Sequence, residues 1–320
     1  MRKPLVATTL ALALAAGGLF AAETVKIGVS IPTADHGWTG GIVSWAKTAI
    51  EDWKQKDPDI EFYLVTAESS AKQVSDIEDL MSKGIQALVV LAHESAPLTP
   101  IVEKVAEKGI FVVSVDRGLT KPVEDVYIAG DNPGLGRVSA EWLAGKLEGK
   151  GDIVVLEGTP CVINTERVEA FMEVMRKFPG IRVLDSQPTD WQTAKGLAVM
   201  ENYLQKHRKI DAVWAQDDDV LKGVLQAYRE SGRKDIRFFL GGAGSKEMIK
   251  KVMDGDPLVQ ADVTYPPSMI ASGISLAVKA MRGEPLDGFY QKKIPSRIIL
   301  AAELVTPENA KDYYFPESNY

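Results

Sequence analysis

Polar and aromatic side chains recur directly after predicted strands, where parallel sheets build their binding sites. Tryptophan stands near a carboxylate in two stretches, Asp35-His36-Gly37-Trp38 and Asp190-Trp191. Further candidates follow other strands, namely Glu94, Asp116, Arg117, Arg167 and Asp217. Carboxylates and guanidinium groups hydrogen-bond hydroxyls, and an indole offers a rigid apolar plate with one donor. This combination suits a saturated sugar, which presents many hydroxyls and one apolar ring face.

Each candidate also has a purely structural interpretation. Trp38 opens a predicted helix and could simply pack in the core, while Asp190 could cap the helix that follows it. Asp116 and Arg117 could form a surface ion pair of little energetic consequence. The run from Asp217 to Asp219 could be a solvated first turn that the helix dipole stabilises. Only the shared position at strand ends favours one common site.

Motifs for other chemistries are missing from the sequence. It contains no GxxxxGK[ST] loop, no HExxH and no GxSxG. The single Cys161 excludes a disulfide framework and a CxxC pair, and His36 and His93 are isolated imidazoles. Acidic pairs could flank a glycosidic bond, but no spacing fixes two of them at a hydrolytic distance. We therefore expect no enzyme, no cofactor and no metal site.

The first 22 residues predict export. Arg2 and Lys3 precede an apolar run from Leu5 to Phe20, which ends in small residues. This is the pattern of a secretory signal peptide, and the run is shorter than the ~20 apolar residues that a membrane span needs. No cysteine follows it to carry a lipid. We expect a mature protein that is soluble in the periplasm.

Charge and length narrow the class of partner. Cleavage after residue 22 would leave 35 basic and 44 acidic side chains, a net charge of −9. Such a chain has no electrostatic footprint for nucleic acid. The remaining residues suffice for two domains of ~150 residues each. No stretch indicates an oligomer interface, so a monomer is expected.

Short aliphatic runs alternate with amphipathic stretches throughout the mature chain, which predicts an α/β fold. Near-continuous apolar runs such as Ala87–Leu91 are typical of strands buried on both faces of a parallel sheet. Strands are expected at 24–31, 60–66, 86–91, 110–115, 153–156, 181–185, 212–215, 237–240 and 258–264. Helices are expected at 38–56, 70–83, 97–108, 134–147, 165–177, 191–206, 219–230, 246–253 and 267–281. The alternation occurs in two successive sets, so we expect two doubly wound lobes with the site between them.

Several stretches occur in the order of a known family. They are Val113–Arg117, Gly130–Asn132, Arg167–Phe171, Ser186–Trp191 and Trp214–Asp218. Over about residues 24 to 305 the chain resembles periplasmic sugar-binding proteins of the ribose-binding type, which serve ABC importers. The resemblance implies a type I periplasmic binding protein fold, with a hinge between two lobes that enclose a monosaccharide. It also implies an inner-membrane permease as partner, and a chemoreceptor is a second partner compatible with it.

The resemblance assigns roles to individual residues. Trp38 and Trp191 match the aromatics on opposite faces of the sugar, and Asp116, Arg117 and Arg167 match its hydroxyl-binding groups. Asp35 and Asp217 stand where the ribose binder has asparagines, so they keep acceptors and lose donors.

Three positions depart from the family pattern. Gly37 replaces a second aromatic, Ala243 replaces a ligand-binding Asp, and Thr264 replaces a Gln on the hinge side and remains a ligand-binding candidate. These changes predict extra space and one acceptor fewer. We therefore expect a ligand other than ribose, with an added methyl or carbon or a different hydroxyl stereochemistry.

Pattern and resemblance place the crossovers between lobes near residues 130, 263 and 292. The expected organisation is a signal peptide over 1–22, a first lobe of 23–130 plus 264–292, and a second lobe of 131–263 plus 293–320. A sugar-responsive repressor would carry a helix-turn-helix before the first lobe, where this chain has its signal peptide.

Overall fold

The structure is a computed structural model that describes residues 24–288 and 293–320. The predicted signal peptide, residues 1–22, lies outside the described residues. Within these two ranges no helix is both long enough and apolar enough to cross a membrane.

Twelve strands and ten helices make up the described part of the chain. The strands are β1 (Val25–Pro32), β2 (Ile60–Ala67), β3 (Ala87–Val90), β4 (Phe111–Val115), β5 (Val126–Gly130), β6 (Lys150–Glu157), β7 (Gly180–Pro188), β8 (Ala212–Trp214), β9 (Phe238–Leu240), β10 (Asp262–Val263), β11 (Arg297–Leu300) and β12 (Leu304–Val305). The helices are α1 (Gly37–Lys56), α2 (Ser70–Ser82), α3 (Ser95–Glu107), α4 (Asn132–Lys146), α5 (Val162–Met175), α6 (Thr193–Lys206), α7 (Asp218–Ser231), α8 (Lys246–Met253), α9 (Met269–Arg282) and α10 (Ala310–Tyr313). Most lie within a few residues of their predicted bounds.

The first lobe contains a six-stranded parallel sheet in the order β11-β5-β4-β3-β1-β2. Its central strand β3 consists of Ala87, Leu88, Val89 and Val90, all without exposed surface. Helices α1 and α9 cover one face, while α2 and α3 cover the other. Burial on both faces explains the near-continuous apolar run, since no residue of β3 meets water.

The second lobe contains a four-stranded parallel sheet in the order β7-β6-β8-β9. Helices α4 and α5 pair on one side, and α6 and α7 pair on the other. The rings of Phe171 and Trp214 stack in the core with centroids 3.9 Å apart. The predicted fold class, two parallel α/β lobes, is confirmed.

The chain crosses between the lobes at three places. The first crossover follows β5, where Asp131 caps α4 through a hydrogen bond from the Gly134 amide, 2.8 Å long. The other two run side by side, because β10 and β12 pair antiparallel. The predicted strand 258–264 is thus shorter than expected and lies within the hinge.

The predicted boundary near residue 292 is wrong. Arg297–Leu300 pairs with Tyr127–Gly130, so β11 is an edge strand of the first lobe, and the third crossover follows it. This strand alternates exposed and half-buried residues instead of forming a buried apolar run. Its edge position explains why the sequence pattern did not reveal its sheet.

The last residues contact both lobes instead of belonging wholly to the second. Phe315 lies edge-on to Trp45 of α1, with ring centroids 6.1 Å apart. The Lys246 amine of α8 donates to the carbonyl of Ser318 at 2.5 Å. The tail therefore spans from the second lobe back to the first.

Candidate functional site

A small chamber lies where the carboxyl ends of strands from both lobes meet. Its volume is about 30 Å³. The residues that line it are His36, Trp38, Asp116, Arg117, Ile163, Arg167, Trp191, Asp217, Ala243 and Tyr265. Six of these are sequence-predicted candidates, so residues far apart in the chain do converge as the strand-end argument requires.

The chamber adjoins a much larger cleft between the lobes. The cleft has a volume of about 1070 Å³ and shares His36, Arg117, Ile163 and Trp191 with the chamber. A space of about 30 Å³ holds only about two waters, since one needs roughly 10–15 Å³. A molecule of monosaccharide size would therefore extend from the chamber into the cleft.

Asp116 is the central acceptor of the first lobe. It follows β4 with a φ of 63°, a left-handed conformation that is uncommon outside glycine. The Tyr265 hydroxyl donates to its Oδ1 at 2.5 Å. Burial raises the pKa of Asp116, while this hydrogen bond and the charges of Arg117 and Arg167 oppose the rise. The surface ion-pair interpretation of Asp116 is therefore wrong.

Arg117 follows directly and is held by backbone oxygens. Its Nη1 donates to the carbonyl of His93 at 2.7 Å, at the end of the neighbouring strand. Its own carbonyl accepts a hydrogen bond from Ser95 at 3.0 Å. These bonds fix the guanidinium at the boundary between the chamber and the cleft.

Arg167 supplies the donor fork from the second lobe. It lies on α5 with 5% of its surface exposed, and its Nε donates to Asn132 Oδ1 at 2.8 Å. Its guanidinium carbon lies 4.4 Å from the Tyr265 ring centroid and 5.9 Å from that of Trp191. Contacts with ring faces stabilise the cation and hold its plane.

The close approach of α4 and α5 places Arg167. A Cβ at Gly136 of α4 would clash with the backbone oxygen of Arg167. Because glycine has no side chain, α4 can bring Asn132 within reach of the guanidinium.

Trp38 is both a core residue and a wall of the chamber. Only 6% of its surface is exposed, and its Nε1 donates to the Tyr265 carbonyl at 2.9 Å. The two rings lie with centroids 6.0 Å apart. The alternatives of core packing and ligand wall are thus not exclusive.

Trp191 forms the opposite wall from the second lobe. Its backbone has a φ of 56°, and its Nε1 donates to Gln216 Oε1 at 3.3 Å. A Cβ at Gly158 would overlap the indole ring, so that glycine allows Trp191 to lie against the backbone just after β6. The ring remains half-buried.

Asp217 caps α7 and lines the chamber at the same time. Its Oδ1 accepts from the amides of Asp219 at 2.8 Å and Val220 at 3.2 Å. Burial, with the charges of Asp219 and Asp218, raises the pKa of Asp217 to about 7. All three carboxylates are buried, so the interpretation as a solvated turn is wrong.

Asp35 and Glu94 lie in the cleft rather than in the chamber. Asp35 bonds to His36 Nδ1 at 2.6 Å and to the Thr39 hydroxyl at 2.7 Å, and its side chain is 69% exposed. The hydrogen bond with His36 lowers its pKa. Glu94 is similarly exposed and accepts from Ser70 at 3.3 Å.

Thr264 does not line the chamber, whereas its neighbour Tyr265 does. Thr264 exchanges hydrogen bonds with the backbone of Glu303 across the two hinge strands. The sequence pattern did not single out Tyr265, because the contact that places it in the site is with Asp116, which is remote in the chain. The signal that could have identified it is an aromatic residue between the predicted strand 258–264 and Pro266-Pro267.

The extra space expected at Gly37 is absent. A Cβ at Gly37 would lie 2.5 Å from both carboxylate oxygens of Asp219, which belongs to the other lobe. The missing aromatic is thus replaced by a protein carboxylate. Ala243, by contrast, lines the chamber and leaves that wall without a carboxylate.

A buried carboxyl pair lies behind the chamber. Asp218 accepts from the amides of Gly242 at 2.9 Å and Ser245 at 2.6 Å. Burial and the neighbouring Asp262 raise the pKa of Asp218 well above its ordinary value. Burial likewise raises the pKa of Asp262 to about 7.

Because of the pair Asp218 and Asp262, we expect the free energy of unfolding to fall as the pH rises from about 4 to above 7. In that interval the folded protein holds a proton that the unfolded chain has released, so each added pH unit favours unfolding. Asp262→Asn should flatten this dependence. Denaturant unfolding at pH 5 and pH 8 measures it, with the exposed Asp59→Asn as control. An unchanged slope in Asp262→Asn would contradict the assignment.

The fold and the cleft together define a two-lobed solute-binding protein. Residues 27–285 match the model of the periplasmic binding protein domain. The chain therefore belongs to the periplasmic binding protein family, as the resemblance predicted.

Curated relatives agree with this assignment. The chain is 31% identical over 282 residues to the ribose import binding protein RbsB of Bacillus subtilis. The aligned region covers 88% of this chain and 87% of that protein. It is 25% identical over 315 residues to the galactofuranose-binding protein YtfQ of Escherichia coli, with 94% of each chain covered. These relatives are binding proteins, and this chain is likewise a binding protein and not an enzyme.

Solved structures show the same architecture. A fructose-binding periplasmic domain of a hybrid two-component system aligns with a TM-score of 0.77 and 28% identity, over 91% of this chain and 93% of that one. The arabinose-transporter binding protein of Shewanella sp. ANA-3, bound to L-arabinofuranose, aligns with a TM-score of 0.78 and 25% identity, over 91% and 94%.

Proposed function

We propose that this chain captures one monosaccharide or polyol between its lobes and delivers it to an ABC importer. The observation that carries the proposal is the convergence of hydroxyl-binding groups and aromatic walls from both lobes. Asp116, Arg117 and Trp38 come from the first lobe, and Arg167 and Trp191 come from the second.

The proposed mechanism is closure of the two lobes around a ligand that both of them contact. Because neither lobe alone surrounds the ligand, binding favours the conformation in which the lobes approach each other. In this proposal the lobes move as rigid bodies about the crossovers between them, two of which pair antiparallel as β10 and β12. A permease that recognises the closed arrangement would then distinguish loaded from empty protein.

The chamber suits a neutral, hydroxyl-rich ligand. Two arginines face the carboxyls of Asp116 and Asp217, so acceptors and donors are present together without a strong excess of either charge. Relatives of this chain are named as binding proteins for ribose, xylitol and galactofuranose. The loss of a carboxylate at Ala243 and the ring of Tyr265 favour a compound other than ribose.

Residues 1–22 support a proposal for the cellular location of the protein. We propose that they are removed on export and that the chain acts as a periplasmic monomer beside an inner-membrane permease. Sequencing the amino terminus of protein recovered from the periplasm tests the cleavage, with a start near Glu23 expected.

A calorimetric titration panel tests the binding proposal. We expect one compound among D-ribose, D-allose, D-galactose, L-arabinose, xylitol and myo-inositol to bind with one molecule per chain. Ribose should bind more weakly than the preferred compound. A clear preference for ribose would contradict the ligand assignment, and failure of the entire panel would contradict the proposed sugar class.

A further inference from the structure

Gly37 and Asp219 meet across the two lobes. Gly37 begins α1 of the first lobe, and Asp219 lies in the first turn of α7 of the second. A Cβ at Gly37 would lie 2.5 Å from Oδ1, 2.5 Å from Oδ2 and 2.9 Å from Cγ of Asp219. The backbone of Gly37 has no positive φ, so its conformation does not demand glycine. Glycine is required because Asp219 lies too close to leave room for a side chain.

The Asp219 carboxylate is buried and only partly satisfied. Five per cent of the residue is exposed, and Oδ1 accepts from the Lys222 amine at 2.9 Å. Oδ2 has no hydrogen-bond partner among the described residues. It faces the amino end of α1, where the first amides and the helix dipole present partial positive charge. This favourable field comes from the opposite lobe and acts on Asp219 only when the lobes are together.

The contact adjoins both sides of the chamber. Trp38 directly follows Gly37, and Asp217 lies two residues before Asp219. The Asp217 carboxylate accepts from the Asp219 amide, so a displacement of Asp219 would move a chamber residue with it. The distance at which α1 and α7 stop approaching therefore sets the separation between one aromatic wall and one carboxyl acceptor.

We infer that Gly37 and Asp219 are positioning residues that set the closed geometry without touching the sugar. This inference rests on the proposed function, because closure around a sugar gives the contact its role. The carboxylate takes the place in which a second aromatic was expected, and it acts on the first lobe's helix rather than on the ligand.

Substitution at Gly37 tests the inference through affinity. Gly37→Ala should weaken binding of the tightest compound in the panel by about tenfold or more, because the added methyl overlaps a buried carboxylate. In the Gly37→Ala background, Asp219→Ala should restore affinity to that of Asp219→Ala alone. Gly40→Ala is the matched control, since its Cβ would have only Ala34 within 4 Å, at 3.9 Å. Thermal unfolding without sugar checks that each variant is folded.

Two results would overturn the inference. One is a Gly37→Ala variant that binds as tightly as Gly40→Ala. The other is a double variant that binds no better than Gly37→Ala, because the obstruction would then not be Asp219.

A disulfide trap separates this inference from the proposed function. In a Cys161→Ser background, Gly37→Cys with Asp219→Cys should oxidise to an intramolecular disulfide without sugar and faster with the preferred compound. Gly40→Cys with Asp219→Cys should not. Formation of the disulfide without binding of any compound in the sugar panel would contradict the sugar proposal and support the contact. Binding without trapping under any condition would overturn the contact and leave the sugar proposal standing.

Discussion

Arg167→Ala should weaken sugar binding by about 1.5–3 kcal/mol, the usual contribution of hydrogen bonds made by a charged group. The guanidinium lies close to two aromatic rings, donates to Asn132 and lines the chamber. Its removal deprives the sugar of a planar pair of donors. It also leaves Asn132 Oδ1 buried without this donor, which adds a desolvation penalty. Isothermal titration calorimetry with the preferred compound measures the loss directly.

Two variants make the Arg167 result specific. Arg167→Lys keeps the charge but not the planar fork, so it should bind more weakly than wild type and more tightly than Arg167→Ala. Arg182→Ala removes an arginine whose side chain is 70% exposed and pairs with Asp152. It should bind like wild type. If Arg167→Ala and Arg182→Ala bind equally well, Arg167 does not belong to the site.

Gly158→Ala should also weaken binding, by about 1–3 kcal/mol, although Gly158 is not expected to touch the sugar. The new methyl overlaps Cε2, Nε1 and Cζ2 of Trp191. The indole must rotate away, which breaks its hydrogen bond to Gln216 and moves one wall of the chamber. Calorimetry measures the affinity, and tryptophan fluorescence reports the changed environment of the ring.

The control for this substitution is Gly145→Ala. Gly145 lies in α4, and a Cβ there would have no atom within 4 Å. Gly145→Ala should bind like wild type, while Gly158→Ala should approach the affinity of Trp191→Ala. Equal binding by the two glycine variants would show that Trp191 is not a wall.

The lobes were predictable because their strands carry the signal locally. The run at Ala87–Val90 is apolar since both faces of β3 are covered, and burial of this kind is visible in a few consecutive residues. Polar residues after β4 and before α7 could then be placed at one edge by a general property of parallel sheets. Asp116 and Asp217 were located in this way.

The features that the sequence did not predict correctly depend on contacts between residues far apart in the chain. β11 is an edge strand whose membership follows from its register with β5. Tyr265 lines the chamber and donates to Asp116, which lies in another part of the chain. Gly37 was expected to leave space, but the space is filled by Asp219 from the other lobe. In all three cases the deciding partner is remote in sequence.

Native mass spectrometry of the protein purified without unfolding tests the central claim most directly. We predict one retained neutral molecule per chain, with the mass of a monosaccharide or polyol, and its absence from Arg167→Ala prepared in parallel. A retained amino acid, nucleotide or other ligand that is not a sugar or polyol, or equal retention by Arg167→Ala, would contradict the account of a sugar held between the two lobes.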